Sequence, residues 1–205
     1  MNKEWSYNEF NVKDYFADLN AHRNLFEEII NLDPKKILEV GTGSGSMSIF
    51  LSHIGYDVTA IDNNKKILEN AKKLSEKLNG KVSFVYCNAF KLSETFNRNE
   101  FDVVFSQGFF EHFNDDEIRK LLQEQLKVGK IIIYSVPSNY YHQKDFGNER
   151  LLSPKQWNKI LKGFNVEFIK RYGLGNKVKW IIIGLLKHPY PPILKPYHIL
   201  IKLRS

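Results

Sequence analysis

The stretch Ile-Leu-Glu-Val-Gly-Thr-Gly-Ser-Gly-Ser occupies residues 37–46 and decides the fold of this chain. Residues 36–40 have the pattern of a short apolar strand, the three glycines predict a tight turn, and residues 47–54 can continue as a helix. Glycine permits positive φ and a close approach of a ligand, and a helix start leaves N–H groups for that ligand. The next strand ends at Asp62, whose carboxylate can accept both hydroxyls of a ribose. This order of elements predicts a site for a nucleoside cofactor.

Two cofactor classes share such a glycine turn. A dinucleotide-binding fingerprint has Gly or Ala at its sixth position, where this chain has Ser46. Glu39 stands two residues before the first glycine, and this E-x-G-x-G-x-G pattern resembles the first motif of class I S-adenosylmethionine-dependent methyltransferases. Residues 101–113 resemble the fourth strand of that family with its following loop, and residues 129–137 resemble the fifth strand. The likeness extends over residues 35–173 and the last strand.

Strands and helices alternate along the chain, which predicts an α/β fold with a parallel sheet covered on both faces. The later strands are expected at 81–86, 101–106, 130–136, 165–172 and 197–203, and helices within 8–31, 64–79, 115–127 and 153–161. The apolar anchors expected in the N-terminal helices are Phe16, Leu19, Leu25, Phe26, Ile29 and Ile30. The resemblance implies a Rossmann-like, seven-stranded, mostly parallel sheet in the order 3-2-1-4-5-7-6, with strand seven antiparallel.

A chain of 205 residues is most simply one domain with a full core. Within this single methyltransferase-like domain, 1–205, we expect four parts. They are an N-terminal helical cap at 1–33, a cofactor-binding core at 34–173, an insertion at 174–196 and the final strand at 197–205.

Composition narrows the class of protein. The single cysteine excludes an internal disulfide and a cysteine-rich metal site, and no metal is expected. The first ten residues carry no export signal, and no apolar run approaches the roughly 20 residues that a membrane-spanning helix needs. We therefore expect a cytoplasmic protein. The net charge of +7 is uneven, because residues 168–205 hold eight basic residues and no acid. Such a segment is either a solvated surface or a surface for an anionic substrate, phospholipid headgroups or nucleic acid.

The resemblance implies S-adenosylmethionine as the cofactor. Gly41, Thr42 and Gly43 would pass under its methionine portion, with Glu39 orienting the loop near the amino group. Asp62 would hold the ribose hydroxyls. The cofactor-binding residues that the resemblance implies are Glu39, Gly41, Thr42, Gly43, Gly45, Asp62, Asn63, Asn88, Ala89, Gln107 and Gly108.

The residues after strands three and four would contact the adenine and the sulfonium group of the cofactor, respectively. Asn88 stands where the family usually has Asp, and its amide oxygen can still accept a hydrogen bond from the adenine amino group. Gln107 and Gly108 would line the sulfonium end of the cofactor.

The chemistry needs few protein groups, because the sulfonium methyl is already activated and alignment alone can supply up to about 7–11 kcal/mol. A base is needed only for an acceptor that must lose a proton. His112 is the candidate base, since it follows strand four beside Glu111 and imidazole titrates near neutrality. The same residues also fit a purely structural helix entry. Residues 140–142, Tyr-Tyr-His, lie after strand five, where they form either an acceptor contact or a packed surface flap.

The insertion at 174–196 is the least typical part of the chain. Its apolar run at 180–186 is bracketed by lysines, and the prolines at 189–192 stop any helix. Three interpretations remain open: an extra core helix, a hydrophobic lid over the acceptor pocket, or a peripheral membrane contact through 178–194. The apolar content of this insertion favours a methyl acceptor with a hydrophobic portion.

We therefore expect methyl transfer to a small-molecule or lipid-like acceptor. An RNA or protein methyltransferase is the alternative, supported by the basic C-terminal segment alone. No Asn-Pro-Pro-Tyr-type motif for a planar base follows strand four, so nucleic acid is not favoured. A nicotinamide-dependent oxidoreductase is disfavoured by Ser46 and by the lack of a Tyr-x-x-x-Lys pair after strand five. A non-catalytic cofactor-binding module is a third class, and the sequence leaves the oligomeric state open.

Overall fold

Two short helices open the part of the chain that the computed structural model describes, which comprises residues 12–141, 144, 147–173 and 196–205. They are α1 (Val12–Ala21) and α2 (Arg23–Ile30). The helices predicted within 8–31 are therefore found from residue 12 onward. On α2, the residues that pack against the rest of the protein are Leu25, Phe26 and Ile29.

Two of the apolar anchors predicted for these helices are wrong. Phe16 on α1 is 65% exposed, and Ile30 at the end of α2 is 39% exposed. The spacing of apolar residues along a helix shows which side chains lie on the same side of it. It does not show how much of that side packs against the rest of the protein.

Seven strands form one sheet in the order β3-β2-β1-β4-β5-β7-β6. They are β1 (Lys36–Val40), β2 (Asp57–Asp62), β3 (Val82–Tyr86), β4 (Phe101–Gln107), β5 (Gly129–Pro137), β6 (Asn165–Tyr172) and β7 (His198–Arg204). β1 pairs in parallel with β2 and β4, whereas β7 is antiparallel to both β5 and β6. The predicted α/β class, strand order and antiparallel β7 are confirmed.

Four further α-helices pack on the sheet. They are α3 (Ser46–His53), α4 (Lys65–Lys77), α5 (Asp115–Val128) and α6 (Pro154–Ile160). Side-chain caps set three of the starts, with Asn64 capping α4 and capping boxes at Asn114 and Ser153. Two short 3₁₀ helices, Ala89–Glu94 and Phe110–His112, follow β3 and β4 and were not predicted.

The core lies on both faces of the sheet. Four of the five residues of β1 are buried in succession, which is typical of a parallel strand covered on both sides. One apolar cluster, under α5 and α6, includes Leu121, Tyr134 and Trp157. The other, under α2 and α3, includes Leu25 and Phe105. Because both faces are covered, the ends of the strands are the places where a ligand can reach the sheet.

The predictions for the 174–196 insertion fall almost entirely on residues 174–195, which lie outside the described residues, as does His142. The lid, the membrane contact through 178–194 and the domain limits therefore stay predictions. Across the described ranges, every helix is too short or too polar to cross a membrane.

Candidate cofactor site

A cavity of about 340 Å³ opens where the carboxyl ends of β1, β2 and β4 meet. Its lining consists of Gly41, Gly43, Ile61, Asp62, Asn63, Asn64, Ile67, Cys87, Asn88, Ala89, Phe90, Gly108, Phe109, His112 and Phe113. Eight of the twelve predicted site residues are in this lining. The other four are Glu39, Thr42, Gly45 and Gln107, which the structure places behind or beside it.

The glycine turn forms the floor of this cavity, and its backbone needs the glycines. Gly41 has φ +76° and Gly43 has φ +53°, values that residues with a side chain rarely adopt. The N–H groups of Gly41 and Thr42 donate to the carbonyl of Ile61 on β2, at 3.0 and 3.1 Å. The turn is thereby held against the strand that ends at Asp62.

Gly45 serves a different purpose from the other two glycines. It is the N-cap of α3, with φ +79°, and a Cβ on it would lie 3.0 Å from the Cβ of Ala71 on α4. Gly45 therefore allows α3 and α4 to pack closely, a structural role beside the cavity.

Glu39 joins the glycine turn to α3. Its carboxylate accepts hydrogen bonds from Thr42 Oγ1 at 3.2 Å and from Ser48 Oγ at 2.5 Å. Burial raises the pKa of Glu39 to about 8, although the two hydroxyl donors act in the opposite direction. Glu39 thus connects the turn, through Thr42, to Ser48 on α3, and its raised pKa keeps it protonated near neutral pH.

Replacing Glu39 by Gln should flatten the dependence of stability on pH. The pKa of Glu39 is about 8 in the folded state and about 4.3 in an unfolded chain. Its contribution to stability is therefore complete below the unfolded pKa and is lost as pH rises through the folded pKa. Between pH 6.5 and 8 we expect the unfolding free energy of the native protein to fall by about 1.5 kcal/mol more than that of Glu39→Gln, measured by urea unfolding.

The window above pH 6.5 separates this effect from that of two histidines. Burial lowers the pKa of His22 and of His198 to about 4, so their contribution changes below their unfolded value of about 6.5. Parallel curves for the native protein and Glu39→Gln above pH 6.5 would show that Glu39 does not bind a proton in the folded state.

Asp62 ends β2 at the rim of the cavity. Its Oδ1 accepts the N–H of Asn64 at 2.9 Å, and burial raises its pKa while this and neighbouring N–H donors oppose the rise. The cap of α4 is Asn64, whose Oδ1 accepts the N–H groups of Lys66 and Ile67. Asp62 is therefore not the helix cap, and its carboxylate faces the cavity, where a ribose could bind.

Asn88 and Ala89 follow β3 on the opposite wall. The Asn88 amide oxygen accepts the N–H of Phe90 at 3.0 Å and starts the 3₁₀ helix there. An amide oxygen has two lone pairs, so Asn88 can still accept a second hydrogen bond from an adenine amino group.

Three phenylalanines in the wall were not predicted as site residues. The rings of Phe109 and Phe113 lie 5.0 Å apart, and Phe113 lies 5.7 Å from Phe90, measured between centroids. Apolar and aromatic side chains around a few polar groups are typical of small-ligand sites. In the sequence, this wall is marked only by Phe90 after β3 and by the group of phenylalanines at 109, 110 and 113 after β4.

Gly108 and Gln107 end β4 on the side away from Asp62. The Gly108 N–H donates to the carbonyl of Ser135 at 3.1 Å, which ties the loop after β4 to the end of β5. His112 lines the cavity, and its Nδ1 lies 2.9 Å from Oδ1 of Asn148. With Nδ1 donating to Asn148, Nε2 carries the lone pair that a base would need.

A polar chain that the sequence did not reveal runs along the same edge of the sheet. The hydroxyls of Ser135 and Tyr172 lie 2.5 Å apart, and Tyr172 lies 3.1 Å from Nδ1 of His22. His22 Nε2 in turn lies 3.8 Å from Oδ1 of Asp18 on α1. These partners are far apart in the sequence, so no local pattern could have brought them together.

His198 extends this chain with its ring. It stacks on Tyr172 at 5.3 Å and meets His22 at 5.1 Å and Tyr141 at 5.6 Å, between ring centroids. Within the described ranges, no three His, Cys, Asp or Glu residues are grouped in a way that could hold a metal ion.

An α/β sheet with a nucleoside-sized polar and aromatic cavity at its switch point defines a nucleoside-cofactor protein. Residues 37–130 match a family model described as a methyltransferase domain. A probable S-adenosyl-L-methionine-dependent methyltransferase TehB of Haemophilus influenzae (strain 10810) is 32% identical over 123 residues, covering 57% of this chain and 42% of that protein.

Two further proteins extend the comparison. The mitochondrial ubiquinone biosynthesis O-methyltransferase of Schizosaccharomyces pombe is 28% identical over 130 residues, covering 60% of this chain and 43% of that protein. The crystal structure of the PH0226 protein from Pyrococcus horikoshii OT3 superposes with a TM-score of 0.72 at 16% identity, covering 97% of this chain and 94% of that one. The chain spans less than half the length of the two curated relatives.

Over residues 37–130, just under half of its length, the chain is similar to S-adenosylmethionine-dependent methyltransferases, and its fold is that of the superposed structure. The matched segment runs from β1 to the start of β5 and so contains the glycine turn, Asp62 and the loop after β4.

Proposed function

We propose that this protein transfers the methyl group of S-adenosylmethionine to a small-molecule or lipid-like acceptor. The observation that carries the proposal is the convergence of the glycine turn, Asp62 and Gly108 around one cavity. In this arrangement Asp62 holds the ribose, Asn88 faces the adenine, and the methionine portion runs over Gly41 towards Gly108.

The acceptor would bind beside Gly108, at the end of β4 and β5. The acceptor atom attacks the methyl carbon, and the carbon–sulfur bond breaks with its electron pair passing to sulfur. The protein mainly has to align these atoms and exclude water. The rings of Tyr141 and His198, which are half-buried at this edge, give a weakly polar surface that suits an organic molecule.

His112 is the base in this proposal when the acceptor must lose a proton. Its place in the cavity lining and its bond to Asn148 support this role. Relatives with small-molecule substrates by name, such as the ubiquinone biosynthesis enzyme, support the acceptor class.

Binding of nucleotide ligands tests the cofactor assignment. Calorimetry of the purified protein should show binding of S-adenosylhomocysteine and none of NAD or NADP in the same concentration range. Asp62 could hold the adenosine ribose of either cofactor class, so the expected discrimination rests on the glycine pattern, in which Ser46 stands where a dinucleotide fingerprint has Gly or Ala. Binding of NAD without S-adenosylhomocysteine would overturn the proposed function.

The acceptor class is tested by following the methyl group. Cell extract is incubated with the protein and methyl-labelled S-adenosylmethionine, then separated into organic-soluble, aqueous small-molecule, RNA and protein fractions. We expect the methyl label in the organic-soluble and aqueous small-molecule fractions. The matched control is Asp62→Ala, with which both fractions should stay unlabelled. Label confined to RNA or protein would establish the alternative acceptor class instead.

A further inference from the structure

Arg150 ties the segment that precedes α6 to the loop after β4. Its backbone N–H donates to the carbonyl of Glu111 at 2.8 Å. Its guanidinium donates from Nη1 to the carbonyl of Phe113 and from Nη2 to Oδ1 of Asp115, both at 2.6 Å. These three bonds reach residues on both sides of His112, so the two segments are fixed relative to each other around this imidazole.

Asn148 stands in the same segment and contacts His112 directly. Its Oδ1 lies 2.9 Å from Nδ1 of His112. The Asn148 side chain is exposed, but the next residue, Glu149, is only 5% exposed, and Arg150 follows it. Gly147, with φ +88°, allows the chain to turn just before Asn148. The position of the Asn148 amide is therefore set by its anchored neighbours and not by its own burial.

An amide oxygen as partner decides which ring nitrogen carries the proton. A neutral imidazole has one N–H and one lone pair, and the hydrogen bond made by one nitrogen fixes the role of the other. Because the Asn148 oxygen only accepts, Nδ1 of His112 is the donor and the lone pair lies on Nε2. A carboxylate in this place would also favour the charged imidazolium, whereas an amide fixes the tautomer without adding a charge. A base has to be neutral before it accepts a proton.

We propose that Asn148 is a positioning residue for His112. Its amide oxygen holds the imidazole in the tautomer with the proton on Nδ1, and Arg150 holds Asn148 in place. This inference rests on the proposed function, in which His112 is the base. Both supporting residues lie outside the matched segment 37–130, so the match itself does not include this part of the site.

The tautomer of His112 can be read by NMR without any acceptor. Long-range ¹H–¹⁵N correlations of the histidine-labelled protein, recorded at about pH 8.5 where ordinary imidazoles are neutral, show which ring nitrogen carries the proton. His112→Gln assigns the signal among the six histidines. We expect the proton on Nδ1 in the native protein and in Asn148→Asp, which keeps an acceptor oxygen. In Asn148→Ala most of the population should move to the Nε2–H tautomer, which free histidine favours in water.

Methyl transfer from labelled S-adenosylmethionine to the small-molecule fractions of a cell extract gives the functional readout. Asn148→Ala should transfer about fivefold less label, the change in population expected from the loss of one hydrogen bond. Asn148→Asp should retain the transfer, and both variants should bind S-adenosylhomocysteine as the native protein does. The matched control is Asn158→Ala, the same truncation at an exposed position of α6, which should change neither the tautomer nor the transfer.

Three results would overturn the role of Asn148. They are a proton on Nε2 of His112 in the native protein, a native tautomer in Asn148→Ala, and label transfer by Asn148→Ala equal to that of the native protein. A native protein that transfers no label to small molecules would instead contradict the proposed function, because the tautomer is measured without methyl transfer.

Discussion

Asp62→Ala should weaken binding of S-adenosylhomocysteine about a hundredfold. The carboxylate sits at the cavity rim and would accept two ribose hydroxyls, each bond contributing about 1.5–3 kcal/mol. The N–H of Asn64 donates to Oδ1 at 2.9 Å and the N–H groups of Asn63 and Gly43 also act on this carboxylate, whose remaining lone pairs can accept the ribose hydroxyls. Calorimetry with the native protein and the variant gives the ratio of dissociation constants.

Asp62→Asn refines this result. It keeps an oxygen for the N–H of Asn64 but loses the charge and one acceptor, so its affinity should lie between those of the native protein and Asp62→Ala. Circular dichroism and a thermal melt check that both variants fold, which we expect because Asn64 rather than Asp62 caps α4. A folded Asp62→Ala with native affinity would show that the ribose binds elsewhere.

Gly41→Ala should reduce cofactor affinity by at least about tenfold. Gly41 has φ +76°, and a Cβ there would lie 2.6 Å from Cδ2 of Phe109, closer than real carbon contacts allow. The new methyl group must therefore strain the turn, at about 1–3 kcal/mol, and displace a ring that lines the cavity. Both changes act on the floor and wall of the same site, and calorimetry with S-adenosylhomocysteine measures their sum.

Gly163→Ala is the control for backbone strain alone. Gly163 has φ +91°, and a Cβ there would meet nothing within 4 Å. It should lower the melting temperature slightly and leave the affinity unchanged. Adding Phe109→Leu to Gly41→Ala should restore part of the binding, because the smaller side chain relieves the contact. A Gly41→Ala protein with native affinity would mean that the turn does not shape the pocket.

The cofactor side of the site could be predicted because its parts are close in the sequence. The glycine turn, β2 and Asp62 lie within one strand–helix–strand unit, where apolar runs and glycines determine the local geometry. Glu39 is an instructive case. Its position in the motif predicted that it orients the loop of the glycine turn. Its bonds to Thr42 and Ser48 and its raised pKa follow only from its burial in the folded protein.

The sequence by itself determined the strand pattern, the glycine turn and the acid that follows β2, since each depends on neighbours a few residues apart. Only the tertiary structure decided which side chains from distant segments contact one another around the glycine turn and at the edge of the sheet. Asp18 reaches Ser46 across 28 positions, and His22 reaches Tyr172 across 150. Folding also left Phe16 and Ile30 exposed on helices whose spacing predicted burial. Such outcomes depend on how separate elements pack, and no local pattern encodes the contact between two distant segments.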